Sequence, residues 1–108
     1  MKLSSESTAK FHVGQIVRHE LFDYRGVIFD VDQNFSEDDS WYATMARTQP
    51  PKDQPWYRVL VDGATHTTYV AERNLSPDSD GRPIQHPLID KLFTALEGGR
   101  YIRGQTYN

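Results

Sequence analysis

Short apolar runs of strand length, separated by turn-forming residues, occupy most of this chain, and a helical spacing takes over only near its end. Residues 13–19 read as a first strand, opened by Gly14 and carrying Ile16 and Val17. Residues 22–26 have turn character. Residues 27–31 follow as a second strand, with Val27, Phe29 and Val31 on one face and Asp30 and Asp32 on the other. Residues 56–61 are the most strand-like stretch: aromatic, β-branched and alternating, with Tyr57, Val59 and Val61 on one side and Trp56, Arg58 and Leu60 on the other. Asp62 and Gly63 both tolerate positive φ and predict a hairpin turn. A return strand is predicted over 66–71, then a short turn over 72–75 that inserts Leu75 into the core.

Residues 76–87, rich in Pro, Asp and Gly, read as a connector. Leu88, Ile89, Leu92, Phe93 and Leu96 then share one face at helical spacing, which predicts a helix from Pro87 or Leu88 to about Leu96. Pro87 suits its first turn and Gly98 its left-handed stop. The pattern as a whole predicts a mainly β protein: a small SH3-like β-barrel of four to five strands with a short C-terminal helix. Residues 1–9 are expected to form a flexible polar leader and 10–108 a single domain, because 108 residues leave no room for two. The tail from 99 to 108, with Arg100, Tyr101, Arg103 and Tyr107, reads as either a docked extension or a flexible basic tail.

Residues 33–55 interrupt this pattern. Loops of that length are uncommon in compact domains and usually carry function or disorder. The segment is acidic at its front and proline-bearing at its back (Pro50, Pro51, Pro55), with a short helix expected over 41–47. Trp41, Tyr42 and Met45 either pin the loop onto the barrel or form an apolar patch for a partner.

Charge sharpens the picture. The net charge is −3, and the whole excess lies between 32 and 55, where Asp32, Glu37, Asp38, Asp39 and Asp53 face only Arg47 and Lys52. This argues mildly against a duplex-DNA binder, while a basic face elsewhere remains open. Cysteine is absent, so neither a disulfide framework nor a thiolate metal site is available. No run is apolar enough for a membrane span or a signal peptide, and a cytoplasmic location is expected.

The candidate chemistry is recognition. His12, His19, His66 and His86 lack metal-ligand spacing, so no metal is expected. Glu37, Asp38 and Asp39 make a solvated run, not a matched acid–base pair, and neither a nucleophile elbow nor a phosphate loop occurs. A non-enzymatic protein without cofactors follows. Arg18, His19, Tyr24 and Arg25 cluster around the first turn, and Trp56, Tyr57, Arg58 and Tyr69 lie on the central hairpin. Aromatic rings interleaved with arginine can stack a base or grip a peptide by cation–π contact. Tyr57 shares its face with Val59 and Val61 and reads more naturally as core; Trp56 faces away from them and stays open to either role.

Three ordered stretches are recognisable: FHVGQIVRH at 11–19 with YRGVI at 24–28, QPWYRVLVD at 54–62, and YVAERNL at 69–75. With the acidic insertion between them, they resemble the HspQ, or YccV-like hemimethylated-DNA-binding, family over roughly residues 10–103. The His86-Pro87 segment, Phe93 and Tyr101 resemble the C-terminal extension of this domain in larger proteins. The resemblance implies an SH3-like barrel with one of two roles. The first, held ahead, is a stress-response adaptor or specificity factor for an ATP-dependent protease, with the protease and unfolded clients as partners. The alternative is binding to hemimethylated DNA that influences replication-origin control. The resemblance carries over no catalytic residue, and the eight binding candidates rest on chemistry. A continuous basic face around Arg18, Arg25 and Arg58, away from the acidic segment, would favour DNA. Exposed strand edges on so small a barrel also make self-association an expectation.

Overall fold

The alternating run at 56–61 becomes the second strand of a curled sheet whose two faces are both covered. A computed structural model describes residues 9–46 and 48–104. Strands β1 (Ile16–His19), β2 (Arg25–Asp32), β3 (Trp56–Val61), β4 (Thr67–Ala71) and β5 (Leu75–Pro77) form one antiparallel sheet in the order β4-β3-β2-β1-β5. A 3-10 turn over Glu72–Asn74 joins β4 to β5. Val70 of β4 and Leu75 of β5 meet in one apolar cluster with Val17, Ile28, Tyr57, Val59 and Phe11, so the two ends of the sheet come round to a shared interior. They are not hydrogen-bonded to each other. The mainly β, barrel-like architecture expected from the sequence is present, as an open rather than a closed barrel.

The other face carries two further clusters, which is why β3 has apolar residues on both of its faces. At one end Ile16, Val27 and Leu60 pack against Ile84, Phe93 and Tyr101 of the C-terminal segment. At the other, Trp56 and Ala71 pack against Ala46, Phe35, Trp41 and Tyr42 of the insertion. Phe29 is the extra residue of a β-bulge between Ile28 and Asp30. The bulge corrects the expected alternation: Val27 and Phe29 face the C-terminal cluster, whereas Val31 crosses to the interior side with Ile28.

The C-terminal helix also needs correction. Helix α2 (Ile89–Leu92) is a single turn, and Phe93 is already extended at φ −130°. Strands β6 (Ala95–Glu97) and β7 (Arg100–Ile102) then form a hairpin over Gly98 (φ 59°) and Gly99 (φ 79°). Two consecutive positive φ values make this a two-residue hairpin turn, so the glycine read as a helix stop reverses a strand instead. Leu88, Ile89, Phe93 and Leu96 all reach the same cluster, although most lie outside the helix. Tyr101 is buried, so the tail is docked at least through β7. Residues 1–8 and Tyr107 lie outside the described residues.

The insertion supplies α1 (Asp39–Met45), where Asp38 caps the helix by accepting a hydrogen bond from the Trp41 N–H at 2.8 Å. Its rings pin it down. Phe35 lies 5.0 Å from Trp56, and Trp41 lies 5.5 Å from Tyr69, centroid to centroid.

Candidate functional site

Between the pinned insertion and the β1–β2 turn lies a groove of about 500 Å³ that runs past β4. Its first wall is built by His19. The imidazole Nδ1 accepts hydrogen bonds from the backbone N–H groups of Leu21 and Phe22, both at 3.1 Å, and the ring stacks on Phe22 at 4.7 Å. Such an acceptor requires the neutral ring. Burial favours that form, pushing the His19 pKa below its ordinary value against the opposing charge of Glu20. The turn held in this way presents Leu21 and Phe22 outward, 52% and 59% exposed. The second wall is α1, where Trp41 lies inward and Met45 stays 59% exposed.

Polar contacts fix the floor. Tyr69 donates to Asp32 at 2.6 Å, and Ser36 donates to the same carboxylate at 2.6 Å. Burial raises the Asp32 pKa, but these bonds and the Arg58 charge outweigh it and leave the group below its ordinary value. Burial and the Asp32 bond raise Tyr69. Arg58 stacks over Tyr69 at 4.3 Å and pairs with Glu37 at 3.1 Å. Tyr24 joins Thr68 through a 2.7 Å hydroxyl contact.

Of the eight residues chosen from sequence, His19, Tyr24, Trp56, Arg58 and Tyr69 line this groove, and Arg18, Arg25 and Tyr57 do not. Tyr57 is fully buried, donating to Glu72 at 2.6 Å and accepting from the Phe11 N–H at 3.2 Å. Trp56 is buried beneath the floor, with its indole N–H on the Pro51 carbonyl at 3.0 Å. Arg25 is 7% exposed and caged by Asp78 at 2.7 Å, Asp62 at 3.2 Å and the Arg82 carbonyl at 2.6 Å. Arg18 pairs with Asp23 and lies 3.7 Å from Asp78. Leu21 and Phe22 were missed, although an apolar pair inside a polar turn is itself a signal. Met45 came to attention only as part of an undecided patch.

The model of the YccV-like family, described as hemimethylated DNA-binding proteins, matches residues 9–100. The chain belongs to this family. In this YccV-like domain, Arg18, Arg25 and Arg58 are each paired with carboxylates, so they do not make a continuous basic face. Among the described residues, Lys10, Arg73, Lys91, Arg100 and Arg103 carry no ion pair, and three of these belong to the C-terminal segment. Among the described residues, no group of three or more His, Asp or Glu could hold a metal ion, and no helix is long and apolar enough to cross a membrane.

Proposed function

We propose that this domain is a non-enzymatic binding module whose working surface is the groove, and that it serves as a cytoplasmic adaptor or specificity factor for an ATP-dependent protease. One observation carries the reading: Leu21, Phe22 and Met45, the three most exposed large apolar side chains among the described residues, converge on one groove while the nearby arginines are neutralised. Apolar surface concentrated in a concave site fits the exposed segments of an unfolded client. The test compares pull-downs from heat-stressed lysate with the wild type and with a Phe22→Asp, Met45→Asp double variant. The wild type should retain an ATP-dependent protease together with unfolded clients, and the variant should lose the clients. Equal recovery by both, or recovery of neither class, overturns the reading.

A second reading is favoured by the family's description and by the cations of the C-terminal segment: binding of a hemimethylated DNA duplex through Lys91, Arg100 and Arg103. Three phosphate contacts would give a salt slope of about −3 in log K against log[salt]. Anisotropy titrations of hemimethylated and unmethylated duplexes test it. Equal affinities, or an affinity unmoved by Arg100→Ala with Arg103→Ala, would remove it.

A further inference from the structure

We infer that the groove is a strand-addition site, taking an extended, uncharged stretch of another polypeptide that hydrogen-bonds along the free edge of β4. The inference rests on the groove being the working surface and adds how an occupant is held.

All five residues of β4, from Thr67 to Ala71, line the groove. Successive strand side chains point to opposite faces: Val70 enters the barrel interior, while Tyr69 and Ala71 meet the insertion cluster. A groove above either face would therefore touch alternate residues only. One that touches every residue runs along the edge, open at Thr67 to Tyr69 and closing over the buried Val70 and Ala71. Among the described residues that edge is unpaired. β3 is the only sheet neighbour of β4, and among the described residues no hydrogen bond from elsewhere reaches the main chain of 67–71. The strand also lacks the lysine, proline or bulge that usually blunts an exposed edge. The three residues of the strand that are not buried, Thr67 to Tyr69, offer about 10 Å of edge at roughly 3.3 Å per residue.

The walls set the chemistry of the occupant. Leu21 and Phe22 on one side and Trp41 and Met45 on the other offer apolar contacts to both faces of an added strand. Apart from His19 and His66, the charged side chains of the lining are Glu37 and Arg58, and they pair with each other at 3.1 Å. A net-neutral lining accepts an uncharged core sequence with apolar side chains. A second copy of this chain is a poorer fit, because β4 is recessed between two walls and two recessed edges cannot meet.

The probe is a labelled seven-residue peptide alternating leucine or valine with threonine, and a second form N-methylated at every other amide on the hydrogen-bonding edge. Both are titrated against the full chain by anisotropy, with backbone amide exchange of 67–71 followed by NMR. The plain peptide should bind and slow exchange in 67–71. N-methylation should weaken it about tenfold or more, because main-chain bonds supply the affinity in this mode. Phe22→Asp should weaken it too, with an unchanged thermal melt certifying the fold. Equal binding of both forms overturns strand addition but leaves the apolar groove standing as the working surface. No binding of either form, with client capture insensitive to Phe22→Asp, overturns both readings. Concentration-dependent dimerisation that protects 67–71 without peptide replaces the added strand with a second copy.

Discussion

Two segments outside the barrel strands cover its outer face, and they do so by opposite means. The C-terminal segment is sewn on through the main chain. Tyr101 N–H donates to the Gly14 carbonyl at 2.8 Å, Gly63 N–H to the Gln85 carbonyl at 2.8 Å, and the Arg103 side chain to the Phe29 carbonyl at 3.0 Å. The approach is so close that a Cβ on Gly14 would stand 2.0 Å from the Tyr101 carbonyl oxygen. The insertion makes no main-chain to main-chain bond with the sheet among the described residues. Beside side-chain bonds at Ser36, Glu37 and the Pro51 carbonyl it rests on aromatic rings, with Phe35, Trp41 and Tyr42 laid against Trp56 and Tyr69. Directional bonds seal a surface, whereas ring packing leaves room beside it. The C-terminal end is tied to the sheet by its main chain, and the ring-packed end holds the groove.

The sharpest way to break this contrast is at the sealed end. Arg25 and Asp78 are 7% and 6% exposed and join the sheet to the C-terminal connector. Arg25→Ala would leave the buried Asp78 carboxylate with only the 3.7 Å approach of Arg18, and removing the close partner of such a pair costs about 3–5 kcal/mol. At about 4–8 °C per kcal/mol for a small domain, the melting temperature should fall by well over ten degrees. Replacing both partners with apolar residues, Arg25→Met with Asp78→Leu, should recover most of that loss. A small loss in Arg25→Ala would mean that the connector is not part of the cooperative fold.

Tyr101→Phe asks less of the same end. The Tyr101 hydroxyl accepts from the Ile84 N–H at 2.8 Å in a buried setting. Its removal leaves that donor unpaired, at about 1–3 kcal/mol. Urea unfolding should report the loss with an unchanged m-value, and a neutral result would mean that water reaches Ile84.

How far each end could be read from sequence follows from the range of its interactions. β3 was legible because its alternation is local and both its faces are apolar. Arg25 was not: its carboxylates stand 37 and 53 residues away, so the sequence presents only a basic residue beside a turn. The β6–β7 hairpin was hidden because Leu88, Ile89, Phe93 and Leu96 meet one cluster at a spacing a helix would also produce. Gly98-Gly99 carried the correct signal and was outweighed. At the groove, Tyr69 and Arg58 were legible as an aromatic and a cationic candidate on the hairpin, but not as stacked on each other. Leu21 and Phe22 left one signal, an apolar pair in a polar turn, but only the fold shows that these turn residues lack cover.

At the ring-packed end, Trp41→Ala should cost about 1–2 kcal/mol globally, given partly exposed rings worth about 0.5–1.5 kcal/mol per pair. Its main effect should be local. Amide exchange and proteolysis should accelerate in 33–55 while the C-terminal hairpin keeps its protection. Equal acceleration at both ends would dissolve the distinction between them.

The smallest expected effect is a pH dependence confined to the groove's first wall. His19 has a folded-state pKa below its ordinary 6.5, first because burial disfavours the charged ring, with Glu20 opposing. A depressed histidine is neutral in both states above that value, and its contribution is then fully present. As pH falls below 6.5, the unfolded chain binds a proton that the folded chain refuses, so stability declines until the folded pKa is passed. Asp32 acts in a different window. Its folded pKa lies below 3.8, so its contribution is lost only in stronger acid. Urea midpoints at about pH 7 and about pH 5.5 isolate the histidine. The wild type should lose stability between them, and His19→Asn, which keeps an acceptor for the Leu21 and Phe22 N–H groups but does not titrate, should lose less. Groove binding should weaken only once the pH passes the depressed folded-state pKa, because protonation at Nδ1 then removes the acceptor that holds Leu21 and Phe22 in place. A parallel decline in the variant would assign the pH dependence to another group and leave the wall indifferent to acid.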